Sequence, residues 1–423
     1  MTLVLAFLAV LGIATAFLLP KRAVAFALGV ILPIDFISGV NPTYLDASRY
    51  GLLIILFVRT RRDTSRDGNP FVLMCFAGLV FIGLASVAKG LDGSPEQLVR
   101  GIIGILSALA GVLLSQRRGL HKDLLRGFIL GMAASAADIA LQVAGLPFFG
   151  MPSAFGFRYS GFSFNSTTLA PLLAIAAVLT LSSWLWPRPQ GGARLIVLTF
   201  RLVVLAVLLG GLYESQGRGG VLSLAVAVGA MLLHKSRRSR IRIALLAGLG
   251  LAVMVRFRSQ LETLILRSDS SDVTTGRGDL NAKAWQAFVA DPVFGATPND
   301  LESLNPHTPF LTFAIEAGFV GLMVAVLLTV ALSIVLFRRP IPGGGHVFVV
   351  RCMAIIVLMT SLLEPDGLYV GLSKVLLLSI VLGQGLMTPR EAPTPSGFDA
   401  SRPASPFATI INKPLAGPPS RRI

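Results

Sequence analysis

Residues 309–337 read PFLTFAIEAGFVGLMVAVLLTVALSIVLF, a stretch whose single charge is Glu316 and which Arg338 and Arg339 follow directly. A helix of roughly 20 apolar residues crosses a hydrocarbon core of about 30 Å, so this stretch reads as a membrane span with a basic stop. Outward from it the pattern repeats. Further apolar segments run over about 3–19, 23–40, 46–58, 71–88, 101–115, 127–145, 168–187, 195–213, 221–234, 242–257, 346–363 and 370–387. The 423-residue chain is 54% hydrophobic and 14% charged, where a soluble domain carries about 25% charged residues. A soluble enzyme, a disordered chain and a secreted disulfide scaffold are excluded. Cys75 and Cys352 fall inside apolar runs and read as small core residues. The expected fold is an all-α polytopic membrane protein of about 12–13 transmembrane helices, with one large external loop carrying a surface helix.

The net charge of +16 follows the loops. Residues 21–22, 59–67, 117–126, 188–194, 235–242, 338–339 and the tail after 387 hold 24 of the 37 Lys/Arg but 5 of the 21 acids, a balance of +19. The rest of the chain balances at −3. Short basic loops stay in the cytoplasm, so the basic side faces in and the charge is no nucleic-acid footprint. Thirteen spans place the N-terminus outside; twelve, with the first or third segment only dipping into the bilayer, place both ends inside. No basic stretch precedes the first segment and Lys21-Arg22 follow it, which favours a retained segment over a signal peptide. Residues 1–387 read as the membrane domain, with an outer loop at about 256–308, and the Pro/Ser-rich 388–423 as a disordered cytoplasmic tail. The absence of an internal repeat speaks against a transporter of duplicated halves.

Two outer regions exceed turn length, about Gly145–Thr167 and Arg256–Thr308. In the second, DLNAKAWQAFVA (279–290) is helical up to Pro292, with Leu280, Trp285, Phe288 and Val289 on one face. It lies on the membrane surface or caps a cavity. His121, His234 and His346 border basic loops, leaving His307 in LNPHTPFL as the one external imidazole. Arg158, Arg218 and Arg277 run against the positive-inside bias and stand beside glycines. They either snorkel to headgroups or hold phosphate oxygens with guanidinium forks. Asp35, Asp46 and the Asp269/Asp272 pair are weak metal signals. Asp138 and Glu316, inside spans, are functional candidates or partners of outside arginines. No Walker loop, HExxH, CxxC pair or serine elbow is present, so the chemistry draws on an already activated substrate.

Four pieces, in order, give a resemblance to the bacterial O-antigen ligase and polymerase family. RYSGFSFNSTTLAPLL, with Arg158 and Asn165, resembles its Arg–Gly–Phe–Asn stretch. YESQGRGGVLSLAV resembles its Ser-x-Ser-Arg-Gly turn, with Ser215, Arg218 and Gly219 matching and Gly217 in place of the second Ser. TTGRGDLNAKAWQAFVADPVFGATPND resembles its Arg, its helix bearing a tryptophan (Trp285) and its Pro-x-x-Gly segment. NPHTPFLTFAIEAGFVGL resembles its His-Asn…Glu-x-Gly-x-x-Gly signature, with His307, Glu316, Gly318 and Gly321 matching and Thr308 replacing Asn. The resemblance covers roughly 155–330. It implies a metal-independent, inverting glycosyltransferase of the bacterial inner membrane, without cofactor, working at the periplasmic face. The donor would be a glycan on undecaprenyl pyrophosphate. The acceptor would be lipid A-core for a ligase or a growing glycan for a polymerase. Arg218, Arg277 and Arg158 would hold the pyrophosphate and His307 would take the acceptor proton. Ser215, Gly219, Asn165, Glu316 and Trp285 would support them. A lipid-linked oligosaccharide flippase and an envelope scaffold are the competing classes.

Overall fold

The computed structural model describes residues 18–60, 69–91, 95–115, 120–152, 158–182, 185, 193–234, 277–297, 304, 308–337, 347–363 and 372–386. Among them are twelve helices and no strand. In chain order these are α1 (Lys21–Ile31), α2 (Pro42–Thr60), α3 (Pro70–Leu91), α4 (Pro95–Ser115), α5 (His121–Val143) and α6 (Ser166–Leu181). There follow α7 (Ala193–Glu214), α8 (Arg218–His234), α9 (Arg277–Ala290), α10 (Pro309–Phe337), α11 (Val347–Leu363) and α12 (Leu372–Leu386). The chain divides at Met387. The segments read at 3–19 and 242–257 and the tail 388–423 lie outside the described residues.

Short polar residues set several of the helix starts. Asn41 accepts from Thr43 N at 3.0 Å and Asn69 from Phe71 N at 2.9 Å, each beside a proline in the first helical position. The proline has no amide to orphan, and the asparagine satisfies one of the remaining free donors. Asn165 does the same for α6, accepting from Thr167 N at 2.9 Å. α6 is buried on every side from Leu169 to Thr180 and packs against α5, α7, α8 and α11. Around it α3 pairs with α4, α1 with α5, and α4 with α12.

Among the described residues five helices are long and apolar enough to cross a membrane: Pro70–Leu91, Gln97–Ser115, His121–Val143, Leu195–Glu214 and Pro309–Phe337. Four more apolar helices are shorter. The all-α architecture is as expected, and five of the twelve described helices have spanning length where about 12–13 spans were expected over the whole chain. The clearest departure is the segment read at 23–40. α1 stops at Ile31, and its 11 residues rise only about 16 Å. Pro33 bars continuation, and 33–41 fold back as a turn with an Ile37–Val40 bridge.

Candidate functional site

α10 is two helices joined at a break. Ala317 (φ −138°, ψ 22°) and Gly318 (φ 62°, ψ −148°) leave helical geometry, and Gly318 occupies a region open in practice only to glycine. The break separates a short Pro309–Glu316 helix from a 319–337 helix of about 28 Å, close to one bilayer core. Backbone groups released at a break must find partners, because an orphaned buried amide or carbonyl costs about 1–3 kcal/mol. The turn after α9 supplies them. Ala296 N donates to Ile315 O at 2.8 Å, and Phe319 N donates to Pro292 O at 2.7 Å. Lys89, in the last turn of α3, donates to Ile315 O at 3.0 Å and to Ala296 O at 2.7 Å. Arg100 of α4 pairs with Glu316 at 3.4 Å. At the start of α10, Thr308 Oγ1 accepts from Leu311 N at 3.4 Å, and Thr308 O accepts from Thr312 N at 3.0 Å. Threonine here is a helix cap, a role Asn fills equally well.

α9 meets α10 through Ala284 and Phe288, which bury against Ala314 and Ile315. The face expected from periodicity therefore splits. Phe288 points into the protein, while Trp285 and Val289 remain exposed. Asp279, Lys283 and Gln286 occupy a separate exposed sector. The apolar sector continues through exposed Val293 and Phe294 to Phe319, which opens an exposed stripe of Met323, Val326, Val330, Ile334 and Phe337 along α10.

A second group gathers around the α5–α6 connection. Asp35 N and Phe36 N both donate to Phe162 O, Ser163 Oγ donates to Asp35 Oδ2 at 3.3 Å, and Phe162 N donates to Ser135 Oγ at 3.0 Å. Tyr159 N donates to Glu214 O at 3.4 Å, which brings the Arg158 segment to the turn leading into Arg218. Burial raises the Asp35 carboxyl above its ordinary value, opposed by the charge and hydrogen bonds of Arg49 and then by Ser163 and Lys374. Arg49, buried on α2, donates to Asp35 and Asp46 at 2.8 Å each and also to the Ile31 and Ile34 carbonyls. Asp35 and Asp46, two of the four acids weighed as metal ligands, are thus partners of one guanidinium. Among the described residues no group of three His, Cys, Asp or Glu is placed to hold a metal, and Asp269 and Asp272 lie outside them.

Of the expected site residues, His307 lies outside the described residues, as does the side chain of Arg277, whose backbone opens α9. Arg158 is half-buried, with its Nε buried and without a hydrogen-bond partner among the described residues. Arg218, also half-buried, opens α8. Ser215 is fully buried and builds the turn, donating to Leu212 O at 2.8 Å and accepting from Gly217 N at 3.4 Å. Gly219 O accepts from Ser223. The neighbouring glycines serve packing: a Cβ at Gly217 would lie 2.2 Å from Ala170 Cβ, and one at Gly220 2.6 Å from the Ala170 backbone. Asp138, read as a functional candidate or a partner of an outside arginine, accepts from Phe149 N at 2.7 Å, Gly150 N at 3.1 Å and Gln142 Nε2 at 2.8 Å. Lys89, Arg100 and Arg49 were passed over. All three are basic residues near outward-assigned helix ends, the signal that singled out Arg158, Arg218 and Arg277. The two groups are linked through α11, which packs on both α8 and α10.

These helices define a multi-pass membrane protein with two polar groups at helix ends. No protein-family model matches the chain, and no curated protein matches it.

Proposed function

We propose that the chain transfers a glycan from undecaprenyl pyrophosphate to an acceptor sugar hydroxyl at the outer face of a bacterial inner membrane, as an O-antigen ligase does. One observation carries the reading. The four pieces that resemble the family meet in pairs: the Pro292–Ala296 turn seats on the Glu316–Gly318 break, and the Arg158 segment reaches the turn before Arg218. A scaffold would need neither His307 nor Arg218.

In this reading Arg158, Arg218 and Arg277 hold the pyrophosphate. The acceptor oxygen attacks the anomeric carbon as the carbon–oxygen bond to pyrophosphate breaks. The leaving group carries away the electron pair against the guanidinium charge, and His307 takes the hydroxyl proton. One displacement inverts the anomeric centre.

The test is a pH–rate profile of the purified protein and its His307→Ala and Arg218→Lys variants. A general base gives a rate rising through the histidine range near pH ~6.5, and its removal costs about 10²–10⁴-fold. Arg218→Lys keeps the charge but loses the bidentate fork, so it impairs donor use. A rate falling through the same range makes the imidazole a phosphate ligand. Near-wild-type turnover of both variants removes the proposal. Glycan on lipid A-core identifies a ligase; longer glycan still on undecaprenyl pyrophosphate identifies a polymerase.

A further inference from the structure

The short helix Pro309–Glu316 begins two residues after His307 and is cut from its own membrane span at Ala317–Gly318. Its direction is therefore set by whatever grips its far end. That end is held from another part of the chain. Lys89 Nζ takes Ile315 O at 3.0 Å and Ala296 O at 2.7 Å, bridging the short helix to the turn after α9. The Glu316 and Asp291 carboxylates both lie within electrostatic range of the ammonium. Arg100 holds Glu316 at 3.4 Å from the facing helix of the tightly packed α3–α4 pair. A cation at a helix C-terminus satisfies orphan carbonyls and opposes the negative end of the helix dipole.

We propose that Lys89 and Arg100 are positioning residues that fix the direction of the Pro309–Glu316 helix, which follows His307 by two residues in sequence, and touch no substrate. The proposal rests on the transferase reading for its consequence, though not for its geometry. A misaimed base loses rate steeply, since reacting groups must be placed to within about 1 Å. Donor binding, assigned to the arginines, is not affected.

Two measurements on the full-length protein in detergent or nanodiscs test it separately. The first is amide hydrogen exchange, which needs no activity. Lys89→Met raises exchange over 312–316 by roughly tenfold or more and leaves 324–337 unchanged, because only the short helix loses its anchor. Lys89→Arg, which still donates to carbonyls, restores protection. The second is a double-mutant cycle in the glycan-transfer assay. Lys89→Met lowers kcat roughly tenfold or more with donor KM nearly unchanged, and has no further effect in a His307→Ala background. Arg100→Gln behaves alike with a smaller loss. Unchanged exchange in Lys89→Met overturns the clasp. Equal fold-losses in the wild-type and His307→Ala backgrounds overturn the positioning role, since a general structural fault is indifferent to the base. Increased exchange in a protein whose wild type transfers no glycan leaves the clasp standing and removes the transferase reading with the role built on it.

Discussion

Phe319 N donates to Pro292 O at 2.7 Å, so the first amide beyond the break in α10 is satisfied by the turn that ends α9. The turn after α9 and the break in α10 are thereby tied together. The glycine at the break has no freedom to change. A Cβ on Gly318 would lie 2.1 Å from Val293 O, at a φ of 62° that L side chains avoid. Gly318→Ala should cost several kcal/mol, about 1–3 for the backbone alone, and lower the thermal midpoint in detergent markedly. Gly229→Ala, in a helix with open space at the Cβ, should be neutral or slightly stabilising.

Arg49 and Asp35 should respond unequally. Arg49→Met strands the Asp35 carboxylate and two carbonyls, while the half-exposed Asp46 is taken up by water, so the loss should sit at the low end of buried-pair precedent, about 3 kcal/mol. Asp35→Asn removes a carboxylate whose burial already opposes its ionisation, and its amide oxygen still accepts from Arg49. Its loss should stay within about 1 kcal/mol by chemical or thermal unfolding. Equal losses would show that the ion pair itself, more than the hydrogen bonds, holds the turn.

Gly217 stands where the resembled family has serine, and the structure gives the reason. Ala170 fills the space a serine Cβ would need. Gly217→Ser should lower folded yield. Adding Ala170→Gly should recover most of it, less the roughly 1 kcal/mol that glycine costs inside a helix. Failure of the second change to compensate would mean the α6–α8 contact is not the constraint.

The exposed apolar sector of α9 predicts lipid contact for Trp285. With Trp184 and Trp186 changed to Phe, brominated lipids should quench the remaining fluorescence more strongly than aqueous acrylamide does. The reverse order would place that sector in water and detach it from the α10 stripe.

Much of this fold is legible in the sequence. The Asn-Pro and Thr-Pro starts at 41–42, 69–70 and 308–309 announce their helices, and the apolar runs announce most of the spans. The break at Ala317–Gly318 is not legible from hydropathy, because a 29-residue apolar run carries no record of its dihedrals. Its excess length over one bilayer was the usable signal. Pro33 likewise marked the end of α1 inside a run that hydropathy joined to residue 40. Lys89 escaped because a lysine at the end of a span reads as a snorkelling residue, and its two carbonyl partners lie more than 200 residues away in sequence. Of the two readings of Asp138, the arginine partner gives way to backbone amides of the next turn and the Gln142 amide, which hydropathy cannot show.

The most direct measurement is donor turnover by the purified protein in nanodiscs supplied with an undecaprenyl-pyrophosphate-linked glycan and lipid A-core. The account predicts one undecaprenyl pyrophosphate released for each glycan that appears on a sugar hydroxyl, with the reaction abolished in Arg218→Ala and His307→Ala. A folded wild-type protein that leaves the lipid–pyrophosphate–glycan bond intact, or carries the intact donor across a vesicle bilayer, would contradict it.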